Sequence, residues 1–194
     1  GPVIQQAANR ALTGGVTLKA ILNTVLSIRE KTSIPIVLMS YYNPLYQCGL
    51  EKFSTMASQS GVDGIIVPDL PLEESEPFRF LLQEKGICLV HLVSPNSGSK
   101  RIEAICKQAR GFIYCVSVTG VTGERKVIDT DIGKFTSSVK VFSNLPVAVG
   151  FGISSSESAN IISKYCDAVI IGSSLVNVIH KYTGDAELFS VVSE

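Results

Sequence analysis

Short β-branched runs recur along this chain, each closed by glycine, serine or proline and followed by a stretch whose apolar residues fall at helical spacing. The runs are Ile36 to Met39, Gly64 to Val67, Ile87 to Val93, Phe112 to Val118, Val147 to Val149 and Val169 to Ile171. Consecutive apolar residues, without polar alternation, are expected of strands covered on both faces. Strand starts lie about 22 to 35 residues apart, and a helical pattern separates each pair. That order implies parallel βαβ units with right-handed crossovers. No linker or low-complexity tract interrupts the 194 residues, so residues 1–194 read as one domain. An eight-unit (β/α) barrel takes ~250 residues. About six units therefore fit either an open α/β sheet or three-quarters of a barrel.

The last two strands end alike. Leu145 to Ser154 reads LPVAVGFGIS, and Asp167 to Ser174 reads DAVIIGSS. Gly150, Gly152 and Gly172 permit a backbone turn with no Cβ in the way. Ser154 to Ser156 and Ser173 to Ser174 are candidate N-caps for the helices that follow. Two helix N-termini side by side, with free N–H groups, form a seat for an anion. The loops after the last two strands are where barrels commonly hold phosphate. Ordinary turn chemistry accounts for a single glycine–serine turn equally well.

Ligands gather at the C-terminal ends of parallel strands. Those ends carry Tyr41, Asp69, Ser94, Ser117, Gly150 and Gly172. Asp69, set between prolines, either orients a ligand N–H or hydroxyl or forms an Asx-type turn or helix cap. Tyr41 and Tyr114 either line an apolar ligand or belong to the core. His91, in mid-strand, reads as a hydrogen-bonded core residue, and His180 as a cation at a helix C-terminus. Thr119 to Arg125 form a long, polar, glycine-bearing loop suited to a lid.

The helical patterns run over residues 2–12, from Thr17 with the face Leu18, Ile21, Leu22, Val25 and Leu26, over Leu50 to Gln59, from Glu73 to Lys85, and over Ser99 to Ala109. Further helices are expected over Asp131 to Phe142 and Ala186 to Val192. Lysine plus arginine equals aspartate plus glutamate at 17 each, so charge favours neither nucleic acid nor an acidic membrane. No apolar run reaches the ~20 residues that span a bilayer. Five cysteines, odd in number and without a C-x-x-C pair, suggest a reduced, cytoplasmic protein rather than zinc or disulfides. No Ser-His-Asp set, paired strand-end carboxylates or metal cluster stands out.

Five motifs, in order, resemble the tryptophan synthase α subunit family: Gly1 to Gln5, Tyr41-Tyr42-Asn43-Pro44, Pro68-Asp69-Leu70-Pro71-Leu72-Glu73-Glu74, Ser117 to Gly123, and Gly150 to Ser154. The resemblance covers nearly the whole chain. It implies a TIM (β/α)8 barrel, of which this chain holds strands three to eight. The implied activity is retro-aldol cleavage of indole-3-glycerol phosphate to indole and glyceraldehyde 3-phosphate, in tryptophan biosynthesis.

The resemblance also implies site roles. Gly123, Gly152, Gly172 and Ser173 are the implied phosphate seat, and Asp69 faces the indole N–H. Tyr41, Ile4, Met39, Ile66, Tyr114, Phe151 and Ile153 surround the ring, and Thr122 lies on the mobile loop. Asn43 and Pro44 lie near the face for the β subunit, which carries pyridoxal phosphate in an α–β–β–α complex; the α subunit needs no cofactor. Val118 stands where some relatives carry a polar or basic residue. The family's acid–base glutamate and aspartate would precede Gly1, so no catalytic residue is expected in this chain and the chain alone is expected to be inactive. A plant source would place the protein in the plastid stroma instead of the cytoplasm. Two other readings remain: a non-enzymatic truncated relative that binds and activates a β subunit, and a different sugar-phosphate barrel enzyme, such as an epimerase or thiamine-phosphate synthase relative.

Overall fold

The computed structural model describes residues 1–116, 125–150, 153 and 155–193, with side chains undescribed at 125–130 and 193. Helices α1 (Pro2–Thr13) and α2 (Leu18–Arg29) precede strand β1 (Val37–Met39). Then follow α3 (Tyr42–Cys48), α4 (Leu50–Gln59), β2 (Gly64–Ile66), a 3-10 turn at Leu72–Glu74, α5 (Glu76–Glu84), β3 (Cys88–Val90) and β4 (Leu92–Val93). The remainder is α6 (Ser99–Gln108), β5 (Ile113–Val116), α7 (Arg125–Lys140), β6 (Val147–Gly150), α8 (Ser156–Ile162), β7 (Ala168–Ile170), α9 (Ser173–Lys181) and α10 (Leu188–Ser193).

All strand pairs are parallel, in the orders β1-β2-β3 and β4-β5-β6-β7. Strand order thus follows chain order and never reverses. A doubly wound open sheet would reverse at a switch point; unbroken succession is the winding of a (β/α) barrel. The run expected as one strand, Ile87 to Val93, changes partners at His91. Before it, Cys88 to Val90 lie level with Gly64 to Ile66; after it, Leu92 and Val93 lie level with Tyr114 and Cys115.

The core divides at the same place. One cluster holds Leu22, Leu45, Phe53, Ile65, Val67, Phe78 and Leu89, and the other Val93, Ile113, Cys115, Val147, Val149 and Ile162. Strand residues in these clusters face the helices, so by alternation the opposite face carries Met39, Ile66, Val90, Leu92, Tyr114 and Ala148. β2 and β6 are buried throughout, whereas β1 and β7, at the two ends of the strand order, are partly open. Helix α1 lies against α9, and neither has a buried residue.

Local chemistry explains several boundaries. Thr17 Oγ1 accepts the Ala20 N–H and starts α2. Gly61, with φ +82°, ends the turn after α4 in a conformation that favours glycine. Of the expected α2 face, Leu22 and Val25 are buried, while Ile21 and Leu26 stay 40% and 49% exposed. Helix α3 is not among the helices expected from the sequence. Pro44 sits in its first turn, where a missing N–H costs nothing, so the proline does not break it.

Candidate active site

The two glycine–serine turns meet through one hydrogen bond: the Ser174 hydroxyl donates to the Ile153 carbonyl at 2.9 Å. The first is capped within the expected Ser154 to Ser156 and the second is not capped as expected. Ser155 caps α8 in a reciprocal box with Ser158. The N-cap of α9 is Gly172, with no side-chain cap, so Ser173 and Ser174 are not N-caps there. The first helical bond of α9 runs from the Val176 N–H to the Gly172 carbonyl. The N–H groups of Ser173, Ser174 and Leu175 therefore lie outside the helical ladder, at its positive end. Among the described residues, a Cβ on Gly172 would meet no atom within 4 Å. Packing against the described residues therefore does not require glycine there. Gly152, Ser154, Phe151, Gly123, Thr122, Ser117 and Val118 lie outside the described residues, as does most of the expected lid.

Gly150 has a different reason from a turn. It lies within β6, and a Cβ there would stand 2.5 Å from the Tyr114 hydroxyl oxygen and 2.7 Å from its ring. Glycine lets the phenol cross the inner face. Tyr114 is half-buried, and burial raises its pKa. Met39, Ile66 and Tyr114 share this face, Met39 level with Ile66. Met39 is 58% exposed and Ile66 8%. Leu92, level with Tyr114, joins them; sequence reading missed it, because an unbroken apolar run does not show which residue faces which side. Ile4, on α1, and Tyr41, at the end of β1, are exposed, whereas Ile153 is buried in the cluster with Ile132 and Ile162.

Asp69 lies at the C-terminal end of β2, and its two carboxylate oxygens accept the backbone N–H of Tyr42 at 2.9 and 3.2 Å. Of the two readings of Asp69, these bonds correspond to the helix cap. Asp69 also lines a cleft of about 490 Å3 between residues 67–72 and 89–94, with His91, Ser94, Ser97 and Arg101. The cleft opens where the run through His91 leaves β2 for β5. At its edge Arg101 pairs with Glu73, and that hydrogen bond lowers the Glu73 pKa.

His91 is 7% exposed, as a core residue should be, but among the described residues its Nε2 has no hydrogen-bond partner. Burial, helped by the Arg79 charge, lowers its pKa to about 4. His180 lies in the last turn of α9, as expected. All five cysteines are free thiols. Burial, with Cys106 and Cys166 nearby, pushes Cys115 up to about 12, which makes it a poor nucleophile or ligand. Among the described residues no group of three or more His, Cys, Asp or Glu could hold a metal.

The sequence model of the family described as "Tryptophan synthase alpha chain" matches residues 1–191. This chain belongs to that family. The α chain of Carboxydothermus hydrogenoformans is 46% identical over 182 residues, which are 94% of this chain and 68% of that protein. That of Geobacillus kaustophilus is 47% identical over 182 residues, 93% of this chain and 68% of that one. Among solved structures, a mutant form of the Pyrococcus furiosus α subunit superposes with TM-score 0.87 at 36% identity, covering 98% of this chain and 76% of that one. A structure of the P. furiosus tryptophan synthase α2β2 complex, concerned with its mutual activation, gives TM-score 0.89 at 36% identity, covering 100% and 78%.

Proposed function

We propose that this chain forms the substrate-binding part of a tryptophan synthase α subunit, the lyase that splits indole-3-glycerol phosphate into indole and glyceraldehyde 3-phosphate. The observation that carries the reading is the pair of turns joined by Ser174 and Ile153, with no described residue crowding Gly172 and the unladdered N–H groups of α9 beside it. A phosphate dianion placed there gains hydrogen bonds and the favourable end of a helix dipole. Gly123 and Gly152 complete the seat with Gly172 and Ser173. The indole ring lies along the inner face of Met39, Ile66 and Tyr114, with Ile4, Tyr41, Thr122 and Phe151 around it.

In this reading the strands are the third to eighth of an eight-stranded barrel, and the acid–base carboxylates lie outside the chain. Retro-aldol cleavage needs proton transfers at indole C3, the indole nitrogen and a glycerol hydroxyl. Each positioned acid or base contributes roughly 10²–10⁴-fold, so this chain contributes binding and orientation. Its partner is the β subunit, in an α–β–β–α complex, and pyridoxal phosphate belongs to that subunit. Free thiols suit a reducing compartment, the cytoplasm or a plant's plastid stroma.

Calorimetric titration with indole-3-glycerol phosphate tests the reading. Gly172→Ala meets no atom of the described residues, so the variant should fold and bind at least ~10-fold more weakly, a loss of about 1.4 kcal/mol. Unchanged affinity would place the phosphate elsewhere.

A further inference from the structure

Helix α3 begins without a cap of its own. Its N-cap residue is Tyr41, whose side chain makes no capping hydrogen bond, and its first N–H, on Tyr42, is left to find a partner elsewhere. That partner comes from the next βα unit, 27 residues away, as the carboxylate of Asp69. A negative charge at a helix N-terminus is favourable in itself. The bond also joins the end of β2 to the turn after β1, where the ladder has just ended with the Ser40 N–H on the Ile66 carbonyl. Beyond it the Tyr42 ring packs near Tyr46 and Phe78, at 5.8 and 6.5 Å between centroids. The turn carrying Tyr41 is therefore held from both sides, by Asp69 through its backbone and by the aromatic group through Tyr42.

We propose that Asp69 is a positioning residue, which sets Tyr41 and the first turn of α3 by capping that helix from the neighbouring loop. Its influence on ligand binding passes through the Tyr42 N–H; the inference rests on the site proposed above only where ligand affinity is the readout.

Three variants separate this role from direct ligand contact. Asp69→Ala removes the acceptor, Asp69→Asn keeps an oxygen that can accept the same N–H, and Tyr42→Pro removes the donor while suiting the first helical position. Tyr42→Ala, which keeps the N–H, is the reference for losing the ring. Amide hydrogen exchange across α3 should quicken about tenfold or more in Asp69→Ala and return most of the way in Asp69→Asn. Affinity for indole-3-glycerol phosphate should fall alike in Asp69→Ala and in Tyr42→Pro relative to Tyr42→Ala. Combining the two should add little, because both remove one bond. Unaltered exchange in Asp69→Ala would overturn the proposal. So would additive losses, or a Tyr42→Pro that binds as its reference does. A native chain that does not bind indole-3-glycerol phosphate would refute the proposed site instead, and the exchange measurement would still decide for or against the cap.

Discussion

His91 stands where the chain exchanges β2 for β5, and burial sets its chemistry. A neutral imidazole is tolerated there, but protonation would place a cation in an apolar site near Arg79. The unfolded chain takes up this proton as pH falls below about 6.5, while the folded chain resists it down to about 4. The stability from keeping His91 neutral is thus fully present above the unfolded value and lost as pH falls through the folded one. The fall from 6.5 to about 4 corresponds to roughly 3 kcal/mol. Denaturant unfolding between pH 7 and 4 should show that loss, and His91→Leu should flatten it; an equally steep profile in the variant would assign the loss to other groups. Gly150 yields a second expectation. Gly150→Val must displace the Tyr114 ring, at a cost of about 1–3 kcal/mol, measurable as a lower denaturation midpoint with a shifted Tyr114 ring resonance. An unmoved resonance would contradict the close approach.

At the next scale, two βα units share one device. Asp63 and Asp167 each stand just before a strand, and each accepts the N–H at the start of the preceding strand region, Ile36 at 2.7 Å and Val147 at 2.8 Å. Each also pairs with a basic residue at the end of an earlier helix, Arg29 or Lys140. The Val147 N–H foremost, and Lys140 after it, lower the Asp167 pKa, so this contribution holds above the ordinary carboxylate value and is lost as pH falls through the lowered one. Asp167→Ala should destabilise the chain by about 1–2 kcal/mol. Asp167→Asn, which can still accept the N–H, should cost under about 1 kcal/mol, since the exposed ion pair is worth little. Equal losses in chemical denaturation would mean that the charge, not the strand N–H, matters.

Such ties mark the limit of what the sequence shows. Strands were legible because β-branched runs are local signals, and Thr17 because its partner is three residues away. The change of partner at His91 was not, since register is set by strands distant in sequence. Helix α3 was hidden by Pro44, whose cost depends on its place in the turn. At the site, Met39, Ile66 and Tyr114 share one face of the strands. The cap made by Asp69 was one of two readings, decided by a residue 27 positions away.

For the whole molecule, the issue is the seam between the first and last elements. Met39, Tyr41, Ile171, Leu175 and Ile179 are all more than a third exposed, and among the described residues neither β1 nor β7 pairs along its outer edge. Open parallel edges flanked by apolar side chains invite association. On the proposed assignment of its strands to the third to eighth of a barrel, the 194-residue chain alone should be oligomeric by light scattering and release no indole from indole-3-glycerol phosphate, and adding a segment for the first two βα units, fused or as a separate peptide, should restore a monomer and turnover. A monomeric chain with robust indole release would refute the assignment of its strands to the third to eighth of a barrel. The most direct test of the phosphate seat is amide chemical-shift mapping during titration with indole-3-glycerol phosphate. The largest saturable shifts should fall on Ser173, Ser174 and Leu175, the N–H groups outside the α9 ladder. Saturable shifts centred on the His91 cleft instead, with α9 unmoved, would contradict the account.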